Sequence, residues 1–498
     1  MIFQNILRKY LLPFFLGGIS VLAFAPFNFY LLIFLSLIGL LFITNKNESA
    51  NIKSIVFGTG YFVIGIYWIY ICLQQFGGMP SFMALVLTFL LCLFLALFFL
   101  PFSLFSQYKN KIFFIPAFFT LVELLRSIIF TGFPWLSLGY TQVPHSPLIG
   151  YLPIIGIHGV SFLVVLSAIL IFHIFRKNTK KIYLIIFLFF IWGFGQYLKS
   201  IEWSKATGET ISTTLIQGNI SQDKKWNKNM INESLSHYQK LILSSDKSLI
   251  ILPETSIPIE VNKIPKSFIN KIKDHIAYNN SYIIFGAIEE DNGKYYNSAF
   301  LVGKDYEGHY RKNHLVPFGE YIPLRKYIGY IYQNYLNIPF ANLSRGKQKS
   351  VPLFKIKGLD FAVNICYEDV FGNEIAWYDK YTSEPNVLVN ISNDAWYGKS
   401  IAAEQHLQIS QARAIENKKM MIRSTNTGVT AFIDRDGKVI NKLKQFTSGG
   451  LSYDVQGYSG ITPYMLFNNF IIYLLCTLIL LLYFRVSIFL KVKNLLSK

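Results

Sequence analysis

One cysteine stands in the long polar part of this chain, within the stretch NICYEDVFG at 364–372. Cys366 ends a β-rich run and lies two residues before Glu368. A cysteine thiolate is a strong nucleophile, but it needs a neighbouring base or cation to form. The sequence therefore raises the hypothesis of acyl transfer through Cys366, with a small buried strand residue as the alternative.

Side chains that could complete such a site occur elsewhere in the polar part. Lys312 lies in the loop YRKNHLVPFGEYIP at 310–323, where its ammonium could stabilise the negative charge of a tetrahedral intermediate. Composition alone leaves a Glu–Lys–Cys and a Cys–His arrangement open. The candidate bases are two carboxylates and two imidazoles: Glu254, Glu320, His314 and His406.

Several other kinds of site are not indicated. The sequence has no G-x-x-x-x-G-K-[ST] loop, no H-E-x-x-H motif and no paired C-x-x-C. We therefore expect no metal and no dissociable cofactor. The other cysteines, Cys72, Cys92 and Cys476, lie in apolar blocks, where cysteine behaves as a small hydrophobic residue, so no disulfide framework is predicted.

The elements that must position these residues are short strands mixed with helices. Polar side chains stand at or just after strand ends, where open α/β sheets place their chemistry. This spacing predicts a layered α/β domain. The β-rich runs cover 213–219, 248–254, 281–289, 297–303, 361–368, 386–393 and 429–434, and helical stretches lie near 228–245, 266–278 and 401–418.

The rest of the chain indicates a membrane protein, since 52% of its residues are hydrophobic and only 15% are charged. A spanning helix needs about 20 apolar residues. Candidate spans are 55–74, 82–106, 112–130, 152–175, 182–198 and 465–484, while 10–44 holds two short spans or a re-entrant hairpin. We expect about eight spans and three regions: 1–198 as an N-terminal helical bundle, 199–464 as an extramembrane catalytic domain, and 465–498 as a closing helix and tail.

The basic residues predict the orientation of these spans. The net charge is +19, and Lys and Arg alternate between loops: those at 75–81 and 131–151 have none, whereas 176–181 has four. Cytoplasmic loops are the basic ones, which places 199–464 outside the cytoplasm. Arg8-Lys9 and the following apolar run could be a signal peptide, but Pro26 and the later spans favour a retained anchor. Nucleic-acid binding is not favoured, because the basic residues form no single stripe with interleaved aromatics.

Several longer motifs make the sequence recognisable. ILPETSIP, YRKNHLVPFGEYIP, NICYEDVFG and NISNDAWYG resemble the nitrilase superfamily in order and spacing. LAFAPF at 22–27, GFPWLSLGYTQ at 132–142 and LIQGNISQDKKW at 215–226 are similar to the membrane-embedded apolipoprotein N-acyltransferase family. The resemblance covers essentially the whole chain and implies an αββα sandwich carried by the helical bundle.

The resemblance also implies roles for particular residues. Glu254 would be the general base, Lys312 the oxyanion stabiliser and Cys366 the nucleophile. Two further acids would support the site, and three residues would lie near the substrate. The supporting acids are Glu320 and Glu368, and the substrate-binding residues are Trp226, Asn297 and Tyr367.

The implied substrates are both lipid-anchored. The donor would be a membrane phospholipid, with phosphatidylethanolamine favoured, and the acceptor the α-amine of an N-terminal S-diacylglyceryl-cysteine on an apolipoprotein. An acyl thioester on Cys366 would make the reaction ping-pong, at the periplasmic face of a bacterial inner membrane. The alternatives are a membrane-tethered amidase that hydrolyses a small amide, and a non-catalytic transporter or receptor, against which the complete triad argues.

Two structural expectations follow from this chemistry. Burial in a cleft that excludes water should raise the pKa of Glu254 towards neutrality. The segment YIGYIYQNYLNIPF at 327–340 is rich in Tyr and Ile, so we expect it to form a mobile arm over the site that contacts lipid, with a packed core element as the alternative.

Overall fold

The computed structural model describes residues 2–46, 48–176, 181–225, 228–303, 307–323, 342–347, 352–376 and 384–496 of the 498-residue chain. Trp226 and the expected lipid-contacting arm at 327–340 lie outside the described residues. The helices, in chain order, are α1 Ile2–Ile19, α2 Leu32–Thr44, α3 Ala50–Gly65, α4 Trp68–Ile71, α5 Ser81–Ala96, α6 Phe105–Tyr108, α7 Phe114–Arg126, α8 Leu152–Ile174, α9 Lys181–Leu198, α10 Gln222–Lys225, α11 Ile231–Leu243, α12 Lys266–Asn279, α13 Gly372–Ile375, α14 Ala402–Asn417, α15 Pro463–Phe467 and α16 Phe470–Leu496.

The chain divides into two compact units. The first, here called the helical unit, comprises Met1–Tyr67, Val86–Ile201 and Leu466–Lys498. The second, called the sandwich unit, comprises Glu202–Met465 and also Trp68–Leu85. The expected boundary at 198/199 therefore lies three residues from the break at Ile201, but 68–85 packs with the sandwich rather than with the bundle to which we had assigned it.

Apolar helices long enough to cross a membrane occur among the described residues. Three qualify outright, and the pair Ala50–Gly65 and Trp68–Phe76, bent by 52°, gives a fourth if counted as one span. The prediction of about eight spans stays a prediction. The three long stretches are Ser81–Tyr108, Pro147–Ile174 and Lys181–Leu198, and shorter apolar helices are Lys9–Ala23, Leu32–Thr44 and Phe470–Arg485.

The span expected at 112–130 is replaced by the shorter helix α7. It carries two buried charged residues, Glu123 and Arg126, which bind the loop after it. Arg126 Nη1 donates to the carbonyl oxygens of Phe133 (2.8 Å) and Trp135 (2.7 Å), and Glu123 accepts from the backbone N–H of Leu138 at 2.9 Å. These charges satisfy the polar backbone of an irregular loop, which explains why the apolar pattern is interrupted here.

The sandwich unit contains two β-sheets among its described residues. The first has the order β13-β1-β2-β4-β5-β6 with β3 beside β4, and the second has the order β12-β11-β10-β9-β8-β7. Strands β1, β2 and β4 run parallel, as do β8, β9 and β10. The strands are β1 Lys205–Gln217, β2 Leu249–Ile251, β3 Ile257–Glu260, β4 Tyr282–Asp291, β5 Lys294–Val302, β6 Glu307–Arg311, β7 Leu353–Ile356, β8 Leu359–Ile365, β9 Val387–Ser392, β10 Met420–Thr425, β11 Ala431–Ile433, β12 Val439–Lys442 and β13 Gly449–Ser459.

Neighbouring residues of each central strand pack into different layers. Leu215 and Val389 lie in the core between the two sheets, whereas the next residue along, Ile216, packs with α11 and α12. Leu388 likewise packs with α14 on the far side of the second sheet. Successive strand side chains point to opposite faces, so strands apolar at every position require a cover on both sides. The result is the predicted αββα sandwich, with the expected helices α11, α12 and α14 as its outer layers.

Candidate active site

The ends of three strands bring the predicted triad together. Glu254 follows β2, Lys312 follows β6 and Cys366 follows β8. The first two strands belong to one sheet and the third to the other. The site therefore forms at the edge of the sandwich where both sheets end, as the position of polar residues in the sequence predicted.

The backbone of Cys366 has a conformation that few non-glycine residues adopt. Its φ is +54°, in the left-handed region, at the start of a 3₁₀ turn over Cys366–Val370. The carbonyl oxygen of Cys366 accepts a hydrogen bond from Asn390 Nδ2 at 3.1 Å, which helps to fix the turn. Unusual backbone geometry of this kind is concentrated at functional sites.

The three triad side chains are buried and in contact. Lys312 is 1% exposed, and its Nζ lies 3.3 Å from Glu254 Oε1. The Cys366 thiol and the Glu254 carboxylate lie close enough for each to shift the pKa of the other. The structure thus brings a base, a cation and a nucleophile into one water-poor place, which is the set that acyl transfer needs.

Asn297 and Glu320 extend this contact. Asn297 Nδ2 donates to Glu254 Oε1 at 2.7 Å and to Glu320 Oε1 at 2.9 Å. Glu320 Oε1 is also 3.0 Å from Lys312 Nζ, and its other oxygen accepts from the backbone N–H of Val316 at 2.8 Å. The amide nitrogen of Asn297 orients the two carboxylates, and its expected place near the substrate stays a prediction. Its buried side-chain oxygen has no hydrogen-bond partner among the described residues.

Glu368 connects the turn of Cys366 to the loop of Lys312. Its Oε1 accepts from the Tyr310 hydroxyl (2.7 Å) and from the backbone N–H groups of Asn313 (2.7 Å) and His314 (3.1 Å). Its Oε2 accepts from the backbone N–H of Ile365 at 2.7 Å. The expected supporting role of this acid thus corresponds to bonds that hold the nucleophile and the cation loops together.

Tyr367 lies beside these loops. Trp226, which was also expected near the substrate, lies outside the described part of the chain. The Tyr367 ring is buried and packs edge-on against Phe371 and His314, with centroid distances of 5.2 and 6.0 Å. Its backbone N–H follows the nucleophile directly, and its ring shields one side of the turn.

The alternative histidine bases have other partners. The His406 ring lies between two carboxylates, with Nε2 2.8 Å from Asp369 Oδ1 and Nδ1 2.9 Å from Asp394 Oδ1. His314 Nδ1 is 2.8 Å from Glu374 Oε1. Because both imidazoles are paired with other carboxylates, whereas Glu254 lies 3.3 Å from Lys312 Nζ and acts on the Cys366 thiol, the geometry favours Glu–Lys–Cys over Cys–His.

The expected upward shift in the pKa of Glu254 is wrong. Burial by itself would raise the pKa of this carboxyl, but the ammonium groups of Lys312 and Lys225, together with Asn297 and the Cys366 thiol, hold it below its ordinary value. For Cys366, burial and then the negative charge of Glu254 raise the thiol pKa. The resting site therefore contains a carboxylate and a neutral thiol.

A fully buried ionic cluster under the turn was not found from the sequence. Arg423 on β10 donates to Asp369 Oδ2 at 3.1 Å, to Asp394 Oδ2 at 2.9 Å and to Asn390 Oδ1 at 2.7 Å. Through Asn390 it reaches the backbone of Cys366. The stretch MMIRST at 420–425 was not among the predicted strands, so the arginine that neutralises Asp394 was missed.

Lys225 is a second missed residue. It ends α10 in QGNISQDKKW, and its Nζ donates to the carbonyl oxygen of Glu254 at 3.1 Å. From this motif only Trp226 was predicted to be a site residue. The lysine beside it, in a short polar segment, was a signal that could have pointed to a second one. Among the described residues no group of three or more His, Cys, Asp or Glu side chains could hold a metal ion.

Comparison with known proteins identifies both halves of the chain. Residues 16–170 match the apolipoprotein N-acyltransferase N-terminal domain, and residues 212–463 match carbon-nitrogen hydrolases. An apolipoprotein N-acyltransferase of Nitrosomonas europaea is 40% identical over 482 residues, covering 94% of this chain and 95% of that protein. The chain belongs to the apolipoprotein N-acyltransferase family.

A second member of the family, from Haemophilus influenzae, is 34% identical over 516 residues, covering 99% of this chain and 98% of that protein. The resemblance seen in the motifs is confirmed, and with it the prediction of an acyltransferase with a nitrilase-like domain. Among solved structures, the CN-hydrolase superfamily protein XC1258 of Xanthomonas campestris is 17% identical with a TM-score of 0.39, covering 50% of this chain and 91% of that chain.

Proposed function

We propose that this protein transfers a fatty acyl chain from a membrane phospholipid to the α-amine of the N-terminal S-diacylglyceryl-cysteine of apolipoproteins. The observation that carries the proposal is the burial of Glu254, Lys312 and Cys366 together, with Glu254 Oε1 3.3 Å from Lys312 Nζ, in a chain of this family. Glu254 acts as general base, Lys312 as oxyanion stabiliser and Cys366 as nucleophile.

In the first half-reaction, Glu254 accepts the proton of the Cys366 thiol as the sulfur attacks the ester carbonyl of the donor. The ammonium of Lys312 stabilises the negative charge that develops on the carbonyl oxygen. The S–C bond forms, the ester C–O bond breaks, and Glu254 returns the proton to the departing alcohol. The products are an acyl thioester and a lysophospholipid.

In the second half-reaction, the neutral α-amine of the acceptor attacks the thioester. The N–C bond forms, the S–C bond breaks, and Glu254 takes the proton from nitrogen and passes it to the sulfur. Glu254 and Cys366 are only 6% and 7% exposed, and this burial protects the thioester from water between the two halves.

The donor, the regions and the location are part of the same proposal. Phosphatidylethanolamine is the donor that the family resemblance implies. Residues 1–198 and 465–498 anchor the chain, and 199–464 carries the catalytic domain, at the periplasmic face of the inner membrane. The basic loops support this orientation, because Lys and Arg accumulate on the cytoplasmic side.

Mass spectrometry of the full-length protein in detergent tests this function. After incubation with phosphatidylethanolamine carrying a labelled acyl chain, we expect that acyl mass on the peptide containing Cys366. The acyl mass on this peptide should disappear when a diacylated lipopeptide is added, and the lipopeptide should become triacylated. Cys366→Ala should abolish both signals.

Two outcomes would contradict the proposal. Acylation of the lipopeptide by Cys366→Ala at the wild-type rate would exclude the thioester. A wild-type protein that hydrolyses small amides and never acquires the acyl mass would be a tethered amidase.

A further inference from the structure

Lys225 is a buried cation that the mechanism above does not use. It is 2% exposed, and its Nζ donates to the backbone carbonyl of Glu254 at 3.1 Å. Lysine is rarely buried this completely unless a negative charge is near. The position of this ammonium beside the catalytic base therefore calls for an explanation in terms of charge.

The segment that carries Lys225 is fixed to the rim of the site. Asn426, which follows β10, accepts from the backbone N–H of Ile220 at 3.0 Å and donates to the Ile220 carbonyl at 2.7 Å. Asn393, which follows β9, donates to Gln222 Oε1 at 2.9 Å. Since β9 lies next to β8, these bonds anchor Lys225 on the same edge of the sheet as Cys366.

The charges of the triad explain what a second cation can do. Lys312 Nζ is 3.0 Å from Glu320 and 3.3 Å from Glu254, so its single positive charge is shared between two carboxylates. When the thiol proton moves to Glu254, one negative charge shifts from the carboxylate to the sulfur and stays in the same buried space, beside the carboxylate of Glu320. One lysine cannot balance these charges in a medium where unpaired ions are costly.

The electrostatic influence of Lys225 reaches both partners of the proton transfer. Burial lowers the pKa of Lys225 to about 8, while Glu254 and Cys366 act in the opposite direction and favour its charged form. In return, its charge contributes to the low pKa of Glu254. Lys225 is thus mostly protonated at neutral pH. Among the described residues, charged or titratable groups that also act on Glu254 or Cys366 include Lys312, Asp394, Arg423 and Tyr397.

We propose that the ammonium of Lys225 is a second positive charge of the acyl-transfer site, which holds Glu254 ionised and stabilises negative charge on Cys366. Lys225 acts through these two residues, and its place in acyl transfer rests on the function proposed above. The charge effect itself is a property of the resting protein and requires no substrate.

The test compares Lys225→Met, which removes the charge, with Lys225→Arg, which retains it. Lys419→Met is the matched control. Lys419 is also fully buried, burial lowers its pKa to about 8 as well, and its partners are the Tyr458 carbonyl at 2.8 Å and Glu384. Each full-length protein is reacted with iodoacetamide from pH 5 to 10, and the peptide containing Cys366 is quantified by mass spectrometry.

We expect Lys225→Met to slow alkylation of Cys366 at pH 7 about tenfold, because a lost charge contact raises a neighbouring thiol pKa by about one unit. Lys225→Arg should keep the wild-type rate at pH 7. Above pH 8 the wild-type lysine loses its charge whereas arginine does not, so Lys225→Arg should then react faster than wild type. Lys419→Met should follow wild type throughout.

Acyl transfer supplies a second measurement on the same variants. In Lys225→Met the acidic limb of the pH–rate profile should move up by about one pH unit, since Glu254 loses a cation that favours its ionised form. The limb should stay in place in Lys225→Arg and in Lys419→Met.

An alkylation rate in Lys225→Met equal to that in Lys419→Met at every pH would overturn the proposal. So would equal rates for Lys225→Arg and wild type at pH 9.5, a comparison that remains decisive if the methionine variant does not fold. Alkylation needs neither donor nor acceptor, so failure of the proposed function would leave this result unaffected.

Discussion

At the scale of single residues, the resting site holds an ionised Glu254 and a protonated Cys366, rather than a preformed thiolate. Burial and the Glu254 charge raise the pKa of Cys366, while lysine ammonium groups lower the pKa of Glu254. The thiol therefore becomes nucleophilic only as its proton moves to Glu254. A protonated cysteine of this kind reacts slowly with oxidants and alkylating reagents, because the thiolate is the reactive form.

Replacing Glu254 separates these two effects. Glu254→Gln should lower acyl transfer to the lipopeptide by about 10²- to 10⁴-fold, the usual contribution of a general base. It should also make Cys366 react faster with iodoacetamide at pH 8, since the negative charge opposing the thiolate is gone. Initial rates of lipopeptide acylation measure the first effect, and mass spectrometry of the peptide containing Cys366 measures its alkylation.

Glu260→Gln is the control, because Glu260 pairs with the exposed Lys263 on the surface. It should leave both rates unchanged. Near-normal acylation by Glu254→Gln would assign the base to another residue.

At the scale of elements, the site depends on two turns that follow strands of different sheets. Glu368 is 2% exposed and accepts hydrogen bonds from the loop after β6 and from the end of β8. The Glu368 carboxylate is hydrogen-bonded to both ends and so helps to fix the distance between the Lys312 loop and the Cys366 turn.

Glu368→Ala should destabilise the fold, because several buried donors lose their acceptor. Each unsatisfied donor costs about 1–3 kcal/mol, so we expect a loss of about 3 kcal/mol or more in the free energy of unfolding. Acyl transfer should fall with it. Thermal unfolding in detergent measures the stability change.

Glu374→Ala provides the comparison, since Glu374 is 37% exposed and contacts His314 through one pair. Exposed pairs contribute about 0–1 kcal/mol. If both variants melted at the same temperature, the bracing role of Glu368 would be disproved.

At the scale of the whole molecule, the sandwich unit includes a segment far away in the sequence. Trp68 is 3% exposed, its Nε1 donates to Gln405 Oε1 at 3.3 Å, and its ring lies 4.7 Å from that of Tyr397. Cys72 Sγ donates to the carbonyl of Trp396 at 3.0 Å. The turn after β9 is thus supported by residues from the apolar N-terminal part, so 202–465 alone is an incomplete unit.

Trp68→Ala should destabilise the sandwich unit by about 3–5 kcal/mol, as expected for a buried tryptophan replaced by alanine. The turn at Trp396 and Tyr397 should become open to chymotrypsin, whose cleavage sites can be mapped by mass spectrometry. Trp68→Phe keeps an aromatic ring and should retain most of the protection. Equal cleavage of wild type and Trp68→Ala would show that the segment does not support the turn.

Much of the fold could be predicted because local hydrophobic patterns in the sequence indicate its strands and helices. The continuous apolar runs at 248–254, 361–368 and 386–393 became β2, β8 and β9, since strands apolar at every position must be covered on both faces. The strand β10 was missed because MMIRST ends in polar residues whose partners are distant in the chain. The packing of 68–85 with the sandwich unit was missed because hydropathy does not show what an apolar residue packs against.

The sequence by itself determined the family, because the order and spacing of motifs are properties of the chain, and the family resemblance in turn implied the sandwich architecture and the proposed triad. Only the tertiary structure decided the charge states. Whether Glu254 has a raised or a lowered pKa depends on burial weighed against Lys312 and Lys225, and that balance is set by distances and by solvent exclusion. The contacts of Lys225, Arg423 and Asn297 depend on distances in the same way, so they were found only in the structure.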